Sequence, residues 1–326
     1  PPLGCRRGSV AVPARGRPRV LLTVLTRTPA AGWAALLLGL VCASSMAAAA
    51  AEQPLPGPVL QVAWRGTTCG MLCAAPAAAE AAARRRAGAG ALPRSLPLRA
   101  EVTVAYAFWL GTFFYALQHT TVAAAFLLNN LHPPLLVLAR LLRAGARGLT
   151  RAEAAGTAVA LAGAAVVCAG HEAAGEHGRH GLGGDLVALA GAAGGAWYIE
   201  RGRDARRHVP LWSLLLTVHL GSVPLLLAAA CCCDPRRPSV TRPLNPEVGV
   251  LGWAARPSLR GEALVDAATL GGSAGYMGAL KFLESVAVST VVLLEPVVGT
   301  VLSLAFARGG AAPGAARGLR GATWRA

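Results

Sequence analysis

Charge is scarce in this sequence. Of 326 residues, 14% are Asp, Glu, Lys or Arg, where a soluble globular chain carries about 25%. Lysine is nearly absent, Lys281 being the single one among 31 basic residues. Acids number 15, about half the basic residues, and none precedes Glu52. The formal net charge is therefore +16. A nucleic-acid-binding protein reaches such a charge by clustering basic residues on a soluble face. Here the arginines lie between apolar blocks, so nucleic acid is not an expected partner.

Catalytic signatures are missing too. There is no P-loop, no His-Glu-x-x-His and no pair of membrane aspartates, which argues against phosphoryl and zinc hydrolase chemistry. Asp185 and Asp266 are lone acids near the starts of apolar blocks. The eight cysteines have neither metal-ligand spacing nor a disulfide framework. Cys42, Cys69, Cys73 and Cys168 lie within apolar blocks as small packing residues. Cys231, Cys232 and Cys233 end one block, open to S-palmitoylation or to plain interfacial packing. His171, His177 and His180 share a Gly-rich stretch with Glu172 and Glu176, either a loose metal site or a solvated loop. No cofactor, no metal and no enzyme activity is expected.

Apolar runs are what the chain has in abundance. It is 54% hydrophobic, with a mean hydropathy of +0.50. A bilayer core about 30 Å thick needs about 20 apolar residues per helix. Blocks of that length fall at 30–51, 57–79, 101–117, 120–142, 152–170, 183–200, 209–230, 263–280 and 285–307. The expected fold is an all-α polytopic membrane protein with about nine spans. Residues 1–29 form an Arg-rich segment, and the first fifty residues together resemble a signal or transit peptide. The block at 30–51 is long for a signal, so a retained helix is the reading preferred here.

Arginine placement gives an orientation. Arg6, Arg7, Arg15, Arg17, Arg19 and Arg27 precede the first block. Arg84 to Arg86, Arg94 and Arg99 follow the second; Arg143, Arg147 and Arg151 follow the fourth; Arg201, Arg203, Arg206 and Arg207 follow the sixth. Stretches 52–56 and 118–119 have none, and 171–182 has only Arg179. That alternation predicts a threaded chain with a cytoplasmic N-terminus, in the plasma membrane or an organelle membrane. It fails late: the loop at 231–262 carries Arg236, Arg237, Arg242, Arg256 and Arg260, and the tail at 308–326 is also basic. Either a tenth helix is missing or a late span is misplaced.

Two segments align without a gap at a constant offset of 163 residues. Ala116-Leu117 through Leu131-His132-Pro133 matches Ala279-Leu280 through Leu294-Glu295-Pro296. On the span list these are helices three-to-four and eight-to-nine, so the repeat unit is five helices. An odd unit inserts its second copy inverted, and such repeats place a carrier's substrate site near the midplane.

These residues resemble the EamA-domain family of the drug/metabolite transporter superfamily. The run ALQHTTVAAAFLLNNLHPPLLVLARLLRAGARGLTRAEAAGTAVALAGAAVVCAG at 116–170 is similar to the later part of its first repeat. ALKFLESVAVSTVVLLEPVVGTVLSLAF at 279–306 is similar to the matching part of the second, including Leu294, Glu295, Pro296 and Val297. Trp64-Arg65 fits the family's helix-two arginine. Two features depart from the pattern: Arg143-Ala144-Gly145-Ala146-Arg147 stands where the family has Gly-Glu, and no tenth helix follows the ninth. The resemblance implies two inverted repeats, 30–170 and 183–307, joined by a loop at 171–182. It also implies a function: moving a small organic metabolite by alternating access. A non-transporting scaffold or incomplete carrier paralogue is the alternative. Within the superfamily, a nucleotide-sugar or sugar-phosphate exchanger is a further one. The partners implied are a small organic solute and the lipid bilayer, with a homodimer allowed.

Candidate site residues follow from cost. A charge at mid-bilayer costs about 2.5–3.5 kcal/mol on insertion scales. Glu295 near the middle of the ninth block therefore faces the interior, either contacting a cation, proton or substrate or bonded, protonated, to a neighbouring helix. His132 holds the same place in the first repeat, after Asn129 and Asn130. Pro133, Pro134 and Pro296 remove backbone donors and can kink both helices there, freeing carbonyls, or simply shape packing. Asn130, His132 and Glu295 are expected to line one polar cavity, with a proton shuttle between the last two. Arg65 either attracts an anionic solute or, the reading preferred here, snorkels to the interface. Trp109, Tyr115, Trp197 and Tyr198 either stack on a solute or belong to an interfacial belt, the belt being preferred. Gly191/Gly195 and Gly271/Gly275 mark faces of close helix approach.

Overall fold

Ala and Leu, both strong helix formers, dominate the apolar blocks, and the described residues of the computed structural model of the protein are mostly helical. It describes residues 30–50, 57–88, 96–120, 122–144, 150–151, 154–159, 161–163, 182–255, 259–295, 297–299 and 301–302. The segment 1–29, all but the last residue of the loop 171–182, Pro296 and the tail 308–326 lie outside these. Nine α-helices are seen among the described residues: α1 Ala30–Ala50, α2 Pro58–Arg86, α3 Leu96–Ala116, α4 Val122–Asn129, α5 His132–Ala144, α6 Leu182–Arg206, α7 Leu211–Cys233, α8 Leu259–Ala279 and α9 Ser285–Val292. Residues 154–159 and 161–163 are helical as well. The β pairing among the described residues is one isolated bridge, Ser239 to Gly249.

Two stretches are long and apolar enough to cross a membrane, Ala124–Arg143 and Leu211–Cys233. Shorter apolar helices run over Ala30–Ser45 and Ser285–Gly299. Several helices are apolar on their outer faces also, with Leu37, Leu38 and Val41 of α1, Met71 and Leu72 of α2 and Leu225 of α7 all exposed.

The first block of helices packs on the second pairwise: α1 on α8, α2 on α7 and α3 on α6. Glycines make the close approaches. A Cβ at Gly275 would come within 2.5 Å of the Ala35 carbonyl, and one at Gly39 within 3.1 Å of the Gly275 Cα. On the other seam Gly195 faces Trp109 and His132, and Gly191 faces Asn129 and Thr112.

The α2–α7 pair is tied at both ends. Neither helix caps itself, since Gly57 and Pro210 at the N-cap positions offer no side-chain bond. Asp234, just past the end of α7, accepts the N–H groups of Val59 (3.2 Å) and Leu60 (2.9 Å) at the start of α2. Glu80, near the end of α2, accepts the N–H groups of Trp212 (3.2 Å) and Ser213 (2.9 Å) at the start of α7. Each carboxylate thus fills orphan donors of the other helix. Burial pushes the Asp234 carboxyl up from its ordinary 3.8, and the two N–H donors pull against that rise. The loop after Asp234 folds back on α2, where the Trp64 indole N–H donates to the Gly249 carbonyl at 3.0 Å.

Two breaks share one position in the pattern. α4 stops at Asn129 and α5 starts at His132, with Pro133 and Pro134 in its first turn, where a missing N–H costs nothing. α9 stops at Val292 and helical structure resumes at Glu295 after a turn at Leu293 and Leu294. α8 ends 163 residues after α3, and α9 ends 163 residues after α4.

Candidate functional site

A cavity of about 130 Å³ lies where the two blocks of helices meet. From the first block come Arg65 of α2, Trp109 of α3, and Asn129 and Asn130 at the α4–α5 break. From the second come Tyr198 of α6, Tyr276 of α8 and Glu295 at the α9 break. The remaining wall mixes the aromatic rings of Tyr106, Phe113, Phe114 and Phe126 with small and hydroxyl residues, among them Thr269 and Ser273. Arg65 and Glu295 are its two charged lining residues.

Arg65 is 5% exposed. Its guanidinium carbon stands 5.7 Å from the centre of the Phe114 ring, within cation–π range. The head group therefore sits inside the helix bundle and does not snorkel to a rim. Glu295 accepts a hydrogen bond of 2.5 Å from the Tyr276 hydroxyl, which fixes one carboxylate oxygen toward α8. Asn129 and Asn130 are buried, and the Asn129 side-chain oxygen has no hydrogen-bond partner among the described residues.

Trp109 is a wall residue of the cavity. Its ring tilts on Tyr198 with centroids 5.5 Å apart and meets His132 edge-on at 5.9 Å. Tyr198 continues the layer to Tyr106 at 5.3 Å. Trp197, next to it on α6, is instead exposed. His132 is fully buried but does not line the cavity; it stands one ring behind, and neither ring nitrogen has a hydrogen-bond partner among the described residues. So Asn130 and Glu295 share one cavity, and His132 sits behind Trp109.

Three participants escaped the sequence reading. Tyr276 carried no signal beyond its place in α8. His219 is fully buried in α7 and pairs with the Tyr106 hydroxyl at 3.3 Å; an ionisable residue in an apolar block was the signal that could have found it. Thr120 bonds Asp185 at 2.5 Å, so that lone acid has a partner on the neighbouring segment.

A larger recess of about 410 Å³ opens between α5 and α6 beside Arg143, Glu200, Arg201 and Asp204. Its charges pair with one another, Arg143 with Glu200 at 3.6 Å and Arg201 with Asp204 at 3.8 Å. The side chains are at least a third exposed, which makes it a solvated cleft. Among the described residues no cluster of His, Cys, Asp and Glu is arranged to hold a metal. Compared with family models, curated proteins and solved structures, the chain matches none.

Proposed function

We propose that the chain is a polytopic membrane carrier whose two inverted halves, 30–170 and 183–307, move a small organic solute by alternating access. The observation that carries this is the cavity between the halves, with Arg65 buried and Glu295 part-buried in its wall. Charges buried among apolar helices mark solute or ion pathways, and inverted-repeat carriers hold their site between repeats.

Three further features support the reading. Helices apolar on both inner and outer faces suit a lipid surround. The pairings α1–α8 and α3–α6 exchange under a two-fold axis that relates the first helix of each half, the second of each and so on; α2–α7 maps onto itself. The 163-residue spacing from the end of α3 to that of α8, and from the end of α4 to that of α9, adds the same relation along the chain. At the Arg-rich end, ion pairs bridge the halves: Arg201 to Glu101 at 2.8 Å, Arg143 to Glu200 at 3.6 Å and Arg140 to Glu284 at 3.4 Å. Exposed pairs of this kind contribute about 0–1 kcal/mol each, so they separate readily in a rocking motion.

The test is uptake of a pooled metabolite mixture into proteoliposomes, comparing the native chain with Glu295→Gln. Selective uptake by the native chain, lost in the variant, is the expected result. A folded native chain that takes up nothing, across amines, amino acids, sugars and nucleotide sugars, would leave the non-transporting scaffold standing.

A further inference from the structure

We infer that the middle of α6 parts from the α4–α5 break and admits water onto His132, a cryptic hydration site behind Trp109. The inference stands on packing and goes beyond the carrier reading. Three observations meet at one place.

The first is a helix face without side chains. Gly191 and Gly195 lie four residues apart on α6, on the side turned to α3 and the α4–α5 break. A Cβ at Gly191 would meet the Asn129 side-chain oxygen and, at 2.6 Å, the Thr112 hydroxyl. One at Gly195 would meet the Trp109 indole nitrogen at 3.0 Å and His132 Cδ2, the ring carbon beside Nε2, at 3.1 Å. Small residues let helices approach this closely, and they also leave no interlocking side chain to hold the approach.

The second is what that face covers. The Asn129 oxygen, the Trp109 indole N–H and both His132 ring nitrogens are buried and have no hydrogen-bond partner among the described residues. Asn129 is 3% exposed and His132 not at all. Pro133 and Pro134 carry no N–H, so the carbonyls of Asn129 and Asn130 also lose the donors four residues on. A neutral imidazole offers one donor and one acceptor, the indole a donor and the amide oxygen an acceptor. Buried groups of these kinds are ordinarily paired with protein or with ordered water, and water is the partner that meets donors and acceptors alike. Each unmet group costs the closed seam its desolvation, and opening returns that cost.

The third is where α6 is fastened. Near its start Asp185 accepts a bond from Thr120 at 2.5 Å, and near its end Arg201 pairs with Glu101 at 2.8 Å. At Gly191 and Gly195 it offers backbone alone. A helix tied at its ends and unbonded between them opens locally before it opens as a whole. The route is short, since Trp109 lines the cavity and also stacks edge-on against His132. One ring separates cavity from imidazole.

The experiment is X-ray radiolysis of the full chain in lipid nanodiscs, which turns nearby water into hydroxyl radical, with oxidation read at each histidine by mass spectrometry. His219 is the internal reference: it is 1% exposed, lies on α7, and its Nδ1 is already paired with the Tyr106 hydroxyl. His132 is expected to oxidise about tenfold or more faster than His219, because local openings lie well below the free energy of global unfolding. Gly195→Ala wedges a methyl group against Trp109 and His132, so it should raise the His132 rate further while His219 stays as it was. A variant that raises both rates together has loosened the whole bundle, and the native comparison then decides alone. His132 as silent as His219, both oxidised at one rate, or a His132 rate unmoved by the methyl in an otherwise intact chain overturns the proposal. Uptake is a separate readout: a chain that transports with a silent His132 keeps the carrier and loses this site, and the converse keeps the site.

Discussion

Arg65 and Glu295 stand on helices from different halves, and each is held by an aromatic residue: Phe114 under the guanidinium, Tyr276 bonded to the carboxylate. The Tyr276 bond joins α8 to the α9 break and so couples a wall helix to the site. Interhelical bonds of this kind in membrane proteins are worth about 0.6–2 kcal/mol. Tyr276→Phe keeps the ring and loses the bond, so it should lower unfolding stability in detergent by that amount while leaving the fold intact. A change of several kcal/mol, or none, would mean that Glu295 is held by something other than this hydroxyl. The repeat and the cost of a charge in an apolar block singled out Glu295 and Asn130, both of which line the cavity, while Trp109, for which an interfacial belt was the preferred reading, lines it too. Direction around the helix was not legible. Arg65 is buried because its side of α2 packs inward, beside the Gly66 contact with α7. Hydropathy along a uniformly apolar helix carries no such azimuth. The same blindness let His132, placed by the repeat at the level of Glu295, be read as a lining residue when Trp109 stands in front of it.

At the scale of elements, the reciprocal tie between α2 and α7 has a measurable signature. Loss of an N-cap acceptor costs about 0.5–2 kcal/mol. Asp234→Ala and Glu80→Ala should each destabilise the chain by about 1 kcal/mol in a reversible unfolding titration. α2 has 29 residues, a length of about 43 Å at 1.5 Å per residue, so the two ties lie far apart. Their effects should then add to within about 0.5 kcal/mol in the double variant. A clear excess over the sum would show that the two ends act as one unit. Neither cap was visible in the sequence, because the partner residues are separated by more than a hundred positions. Breaks were another matter. The prolines at 133 and 134 mark where α5 restarts, since the first helical turn accepts a residue that lacks an N–H. The glycines of the two seams were legible as small-residue spacing, though the spacing alone did not say which helix each would meet.

For the whole molecule, the all-helical class came from composition and block length alone. Which helix faces which did not, because cross-half pairing depends on shape complementarity that no hydropathy profile encodes. Threading through a bilayer remains the part of the proposal that a single labelling pattern can decide. α7 has 23 residues, about 34 Å long, against a hydrocarbon core of about 30 Å. Its start follows Asp204, Arg206 and Arg207; its end carries Cys231, Cys232 and Cys233, all exposed. A membrane-impermeant maleimide applied to sealed vesicles should therefore reach the three cysteines from one face only. Asp204→Cys, made in a chain whose Cys231, Cys232 and Cys233 are serine, should react from the other face, the one that carries an N-terminal tag. Cys69 and Cys73 are buried and should stay silent in both. Labels on opposite faces with the tag beside the cysteines would keep the threading and reverse only the orientation, which the arginines of the 231–262 loop already strain. Labels reaching both positions from one face would mean that α7 does not cross, and a helix that fails to cross at the centre of the cross-half packing removes the bilayer from the proposal altogether.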